Sequence, residues 1–365
     1  MKWIWKDKKW PTYQYNEDLV VAHNAELRQK SGLLTGSTKY LKDSDSKQLI
    51  IEFLSQEAMS SSDIEGEALH RDSVQSSIKK HLGLKVPKHK IQPKEYCIAE
   101  MMVNQHNTSQ EPLTHEMMHL WNTMLLHDRR DVEKGCYRTH PEPMQIVSGN
   151  YANDTVFYEA PPSNKVHKLM DDFVTWFKAN SRSHELSIIA FAAHTHLRFE
   201  QIHPYEDGNG RIGRALTEKA IALRLGAPFM SSLAKIIEKR KKEYYKLLQH
   251  TNHTLNTDKW LLFFAECILE SQDYSISLVD FVIQKYHFMD EYKSMLNDRQ
   301  EKAVLRIFQE GIDGFRGGLS ASNYKAIAKT SDATATRDLQ DLVTKGGFRK
   351  TGRLKGTRYF LNLHS

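Results

Sequence analysis

Residues 185–199, ELSIIAFAAHTHLRF, are apolar on nearly every face of a helical wheel. Such a helix has to be enclosed by other elements. That requirement makes the chain a multi-helix fold with this segment as a buried central helix. The adjoining stretch is opposite in character. HPYEDGNGRIGRAL, residues 203–216, holds a histidine, two acids, three glycines, an asparagine and two arginines. A plain turn needs one glycine or two. An amphipathic helix, GRIGRALTEKAIALRLG, then runs to Gly226, with Pro228 just beyond.

Gly208 and Gly210 remove side chains where that second helix begins, so backbone N–H groups can approach a ligand closely. A helix start leaves its first N–H groups free, and the dipole there favours an anion. Arg211 and Arg214, three apart, share a face of the first turns. Two guanidinium forks suit a phosphate chain better than a single carboxylate. Asp207 would repel that ligand unless a cation lies between them, and Mg²⁺ takes carboxylate and phosphate oxygens together. Asn209 adds an uncharged donor. His203, with an ordinary pKa of about 6.5, is a base for a hydroxyl about to attack phosphorus. The segment reads as a nucleotide polyphosphate site with a base beside it. No Lys-Ser/Thr pair comes after the glycines, so it is not a P-loop, and it lacks the strand that opens a dinucleotide fingerprint.

HPYEDGNGRIGR resembles the signature of the Fic domain family, with Tyr205 where phenylalanine is commoner. The signature maps onto His203, Asp207, Gly208, Asn209, Gly210, Arg211 and Arg214. The resemblance covers about residues 110–240 and implies a helical fold that transfers AMP from ATP to a protein hydroxyl. It implies His203 as general base and Asp207 as the Mg²⁺ ligand. Asn209 and the glycine backbone would take the α-phosphate, and Arg211 and Arg214 the β- and γ-phosphates. It further implies a β-hairpin flap that aligns the target segment. Residues 135–162, where MQIVSG and TVFYEA flank NYAND, look like that flap.

SSDIEGE, residues 61–67, resembles the family's inhibitory signature through Ser61, Glu65 and Gly66. Glu65 paired with Arg214 would deny that arginine to the γ-phosphate, a restraint within one subunit. In some relatives the same glutamate helps remove AMP, so the reverse reaction stays open. So do a different phosphate-bearing donor and a nucleotide-sensing DNA-binding regulator.

Three parts are expected along the chain. Residues 1–95 form a Trp-rich arm, extended or a short strand, followed by a helical region carrying the inhibitory motif. They resemble a known N-terminal companion of such domains. Helical patterns there span about 18–30 and 46–81, with serines near SSSDIEGE as candidate caps or a kink. A basic, proline-bearing linker occupies 85–95. Residues 96–290 are the core, with its flap at 135–162 and catalytic loop at 203–214. Residues 295–365 read as three helices and a basic hairpin, a winged-helix order. The fold class expected is therefore mainly α. Segment 325–358 carries nine Lys or Arg against three Asp, so weak DNA contact and protein or dimer packing are both expected uses, a homodimer among them.

HEMMH at 115–119 has the spacing of a zinc protease helix, but no third ligand is evident downstream, and the same stretch suits the first core helix. His194 reads as a buried scaffold residue, with His196 facing elsewhere. No run approaches the roughly 18 apolar residues of a membrane span. The start, MKWIWKDKKWP, is charged without a subsequent apolar stretch, so it is not read as a secretory signal. Cys97, Cys136 and Cys267 have no spacing for a zinc knot or disulfide framework, and a reducing, cytoplasmic setting is the expectation.

Overall fold

The computed structural model describes residues 3–39, 43–86, 91–147, 156–183, 185–309, 311–312 and 317–363. The chain is mostly helical and divides into two compact units, residues 1–40 with 50–275 and residues 41–49 with 276–365.

In chain order the elements are α1 (Val21–Thr38), α2 (Asp43–Ile64), α3 (Arg71–His81), α4 (Pro93–Asn107), α5 (His115–Leu125), β1 (Gln145–Val147) and β2 (Val156–Glu159). They continue with α6 (Ser163–Arg182), α7 (Ile188–Ile202), α8 (Asn209–Leu225), α9 (Leu233–Lys239), α10 (Lys241–Thr251) and α11 (Asp258–Tyr292). The chain closes with α12 (Asp298–Gln309), α13 (Ala321–Ala328), α14 (Asp332–Thr344), β3 (Phe348–Thr351) and β4 (Arg358–Leu361). Both α2 and α11 contribute residues to both units.

Every residue of α7 is buried, as its all-round apolar pattern requires. Ser187 starts it, accepting the Ala190 N–H at 3.2 Å. α8 packs along α7, and Gly226, at φ 70°, ends α8 in the left-handed conformation that glycine adopts without a Cβ clash. Around this pair the larger core gathers Trp121, Met170, Phe173, Phe177, Trp260 and Phe264, each fully enclosed. Burial of each such side chain contributes roughly 1.5–3 kcal/mol.

The arm is not a strand. Ile4–Lys6 is a single 3₁₀ turn, and the segment lies on the core through its tryptophans. Trp5 donates to the Glu159 carbonyl at 2.7 Å, and Trp10 donates to Gln201 Oε1 at 2.7 Å. α1 continues to Thr38, eight residues past the sequence reading, through Gly32 and Gly36, since burial of Leu34 offsets their weak helix propensity. The serines near SSSDIEGE neither cap nor kink. Ser60, Ser61 and Ser62 are buried in the last turns of α2, and the break falls after Ile64, with Gly66 at φ 82°.

β1 and β2 pair antiparallel, Gln145 opposite Glu159 and Ile146 opposite Tyr158. The NYAND turn between them lies outside the described residues. The second unit has its own core, with Val304, Phe308, Tyr324, Leu339, Leu342 and Phe348 buried together. Ser331 caps α14, its side chain accepting the Thr334 N–H, and β3 pairs antiparallel with β4. No described helix is long and apolar enough to cross a membrane, and all three cysteines are free.

Candidate active site

α7 ends at His203, which takes the left-handed conformation at φ 49°. A non-glycine residue there costs roughly 1–2 kcal/mol, so its surroundings must hold it. Its N–H donates to the Phe199 carbonyl at 2.9 Å, and its own carbonyl accepts from Arg138 Nε at 2.8 Å. Arg138, 1 % exposed, also reaches Ser163 Oγ at 2.9 Å and the Pro161 carbonyl, and its N–H meets the Pro204 carbonyl at 2.9 Å. One buried guanidinium thereby ties the loop after α7 to the foot of the β1–β2 hairpin. The sequence reading missed Arg138, because nothing in its local spacing distinguishes it.

The His203 side chain is largely buried, 13 % exposed. Nδ1 lies 3.9 Å from Glu200 Oε2 and has no hydrogen-bond partner among the described residues. Burial, with the Arg138 charge behind it, lowers the His203 pKa to about 4, so the ring is neutral at ordinary pH. Burial and the nearby Glu65 charge push Glu200 up to about 8.

The loop to α8 is closed by Asn209. Its Oδ1 accepts the Tyr205 N–H at 2.9 Å, and its Nδ2 donates to the Tyr205 carbonyl at 2.8 Å. Tyr205, replacing the commoner phenylalanine, uses its hydroxyl on His119 Nδ1 at 3.0 Å. Gly208 stands at φ 85°, and a Cβ there would press on Leu125. Asp207, with its side chain a third exposed, accepts from Arg129 Nη1 at 3.1 Å and lies 3.6 Å from Arg211 Nη2. Arg129 is a second residue that spacing did not reveal.

Arg214 is 1 % exposed and nearly saturated by the end of α2. Its Nε donates to Ser61 Oγ, and its Nη2 donates to the Ser61 carbonyl and to Glu65 Oε1, each at 2.8 Å. Nη1 alone lacks a partner among the described residues. Arg211 Nη1 donates to Glu67 Oε2 at 2.7 Å. The Glu65 carboxylate lies directly on the first turn of α8, where a Cβ on Gly210 would collide with its Oε1. Burial raises the Glu65 carboxyl, but the Arg214 charge and hydrogen bond outweigh it and leave Glu65 below the ordinary carboxylate value. The last carbonyls of α2 are held in turn, Asp63 by Lys241 Nζ at 3.2 Å and Ile64 by the Tyr245 hydroxyl at 3.3 Å. A cavity of about 20 Å³, room for a water, lies beside Arg211 and Glu67.

The structure therefore brings together His203, Asp207, Gly208, Asn209, Gly210, Arg211 and Arg214 with Ser61 and Glu65; Gly66 makes the turn behind them. The HEMMH histidines do other work: His115 Nδ1 meets the Tyr137 hydroxyl at 2.7 Å, and His119 meets Tyr205. Among the described residues no group of three or more His, Cys, Asp or Glu could hold a metal ion. His194 and His196 are scaffold: His194 pairs with Thr257 Oγ1 at 3.0 Å, His196 with Thr217 Oγ1 at 3.1 Å and the Tyr244 hydroxyl at 2.9 Å.

Residues 112–221 match the Fic/DOC family, and residues 3–84 match a domain of unknown function, DUF4172. Among curated proteins, a protein adenylyltransferase Fic of Nematostella vectensis is 31 % identical over 131 residues, which is 35 % of this chain and 29 % of that relative. One of Drosophila melanogaster is 23 % identical over 185 residues, 47 % of this chain and 36 % of that relative. The chain thus spans only about a third of the length of the curated relatives it matches. A Fic family protein from Desulfovibrio desulfuricans G20 superposes with a TM-score of 0.57 at 20 % identity, covering 96 % of this chain and 98 % of the other. A Fic domain containing signaling protein from Bacteroides thetaiotaomicron gives 0.54 at 23 % identity, covering 70 % and 96 %.

Proposed function

Because residues 112–221 form a Fic domain, we propose that this chain transfers AMP from ATP to a Ser, Thr or Tyr hydroxyl of a protein, itself included, and that Glu65 restrains the transfer. The observation that carries this reading is the Glu65 carboxylate itself. An anion already lies on the glycine-backed first turn of α8, gripped by Arg214, where the local chemistry suits a phosphoryl oxygen.

His203 takes the proton from the attacking hydroxyl. Its ring is neutral, and Nδ1 has no competing partner among the described residues. Gly208 and Gly210 let the free N–H groups of α8 reach the α-phosphate. Asn209 acts chiefly by closing the loop through Tyr205, with one amide hydrogen left for phosphate. Arg211 and Arg214, once released from Glu67 and Glu65, neutralise the departing pyrophosphate. The β1–β2 hairpin would align the target segment by backbone pairing.

Asp207 fits Mg²⁺ as a single hard carboxylate at an accessible lip, provided that Arg129 swings away. Mg²⁺ would share phosphate charge, with phosphate and water supplying its other ligands.

In this reading residues 1–95, 96–290 and 295–365 are arm with inhibitory helix, transferase core and accessory winged helix. The exposed Arg349, Lys350 and Arg353 of the last hairpin would meet phosphate backbone, which a salt-dependent gel shift tests. The main proposal is tested by incubating Glu65→Gly protein and each α-labelled nucleoside triphosphate with cell lysate, then identifying labelled proteins by mass spectrometry. Label from ATP on a hydroxyl side chain supports it. Label from another nucleotide, or none, defeats it.

A further inference from the structure

Five residues before His203, α7 carries Arg198, which is 7 % exposed and lies in the larger unit. Its guanidinium stacks on Trp176, with Cζ 4.3 Å from the ring centroid. Among the described residues it forms no hydrogen bond and no ion pair, and its Nε is buried without a partner. Burial lowers its pKa; of the acids, Asp172 on α6 acts on it, from beyond ion-pair distance. An enclosed arginine without a carboxylate runs against the usual rule that buried charges are paired.

The same arginine lines a cavity of about 320 Å³ built where the arm crosses α6 and α7. Thr12, Tyr13, Tyr15, Trp176 and His194 share its walls. The two tyrosines flank His194, with ring centroids 5.0 and 4.7 Å away. The Tyr13 hydroxyl is occupied by Gln201 Oε1 at 2.8 Å, and His194 Nε2 by Thr257. Burial, with the Arg198 charge adding, lowers His194 to about 3, and burial pushes Tyr13 up, so neither carries charge. Arg198 is the one cation among the described wall residues.

We propose that this cavity binds a small carboxylate with a flat apolar body, its carboxylate on the free edge of Arg198 and its body between Tyr13, Tyr15 and Trp176. A guanidinium stacked by its face keeps its N–H edge open for a two-point bond to a carboxylate. A single positive charge matches a monoanion and leaves a phosphate dianion under-neutralised. Aromatic walls around a volume of this size suit a ring system better than a long chain. Because both arm and core build the cavity, occupancy would hold residues 11–15 on α7. The site does not depend on the transferase reading.

The test titrates full-length protein with 1-naphthoate, benzamide and inorganic phosphate by calorimetry. Saturable 1:1 binding of 1-naphthoate is expected, at least tenfold tighter than benzamide or phosphate. Arg198→Met should weaken it at least tenfold, and Arg198→Lys less. If the Met variant does not fold, Tyr15→Ala with unchanged circular dichroism should weaken naphthoate several-fold. The idea is overturned by no saturable naphthoate binding up to on the order of 10 mM. Equal binding to Arg198→Met, or phosphate binding as tight as naphthoate, also overturns it.

Discussion

Glu65 Oε1 and Arg214 Nη2 lie 2.8 Å apart across the amino end of α8. Glu65 belongs to the turn after α2, and Arg214 to the face of α8 three residues after Arg211. If the chain transfers AMP as proposed, this pair keeps Arg214 from the nucleotide, and breaking it should raise the transfer.

Replacing Glu65 by Gly should raise AMP incorporation about tenfold or more. The substitution frees one N–H of a buried guanidinium, an interaction of roughly 1.5–3 kcal/mol for a charged partner. Transfer of label from α-labelled ATP measures it, and an unchanged rate would falsify the restraint.

Glu67→Gln should act more weakly, because Glu67 bonds the Arg211 side chain while Glu65 also covers the first turn of α8 at Gly210. A fall of up to about fivefold in KM for ATP is expected, with kcat nearly constant. A kcat change as large as that of Glu65→Gly would show that the two acids act as one unit.

His203→Ala should lower transfer by roughly 10²–10⁴-fold while ATP affinity changes less than about twofold. Calorimetry on the variant gives the second number. Residual transfer within a factor of a few of the parent would remove His203 from the proton path.

The pH dependence follows from the His203 pKa of about 4 against an ordinary 6.5. The neutral ring persists as pH falls below 6.5, so kcat/KM of the Glu65→Gly protein should stay flat down to about pH 5. Stability has the matching sign. Between the two values the unfolded chain binds the extra proton, so the fold is favoured above 6.5 and loses that contribution as pH falls through 4. An acid limb at pH 6.5 would contradict the buried, neutral ring.

Arg138→Met should cost roughly 2–4 kcal/mol, because carbonyls of His203 and Pro161 lose their donor while still enclosed. Urea unfolding gives the stability. A variant as stable as the parent would mean that the loop after α7 holds its shape without the guanidinium.

The loop 203–214 could be read early because its chemistry is local. Glycines at 208 and 210, then arginines three apart at a helix start, place donors on one face whatever surrounds them. The order of three helices and a hairpin, α12 to β4, was legible for the same reason, since its periodicities and turn residues lie close together. The ends of α1 and α2 were less so. α1 runs through two glycines because Leu34 is buried, and α2 carries its serines inside the helix because they face the core.

Taken alone, the order of residues determined a central buried helix, a glycine-bearing turn after it with two phased arginines, and a histidine at the joint, since backbone freedom and side-chain phasing act over a few positions. Tertiary structure decided which charges meet. Arg138 on the His203 carbonyl, Arg129 on Asp207 and Glu67 on Arg211 join residues 65, 78 and 144 positions apart. Arg198 stacks on Trp176 with no carboxylate beside it. Such pairings depend on how whole helices are laid against one another, and a linear spacing carries no record of that.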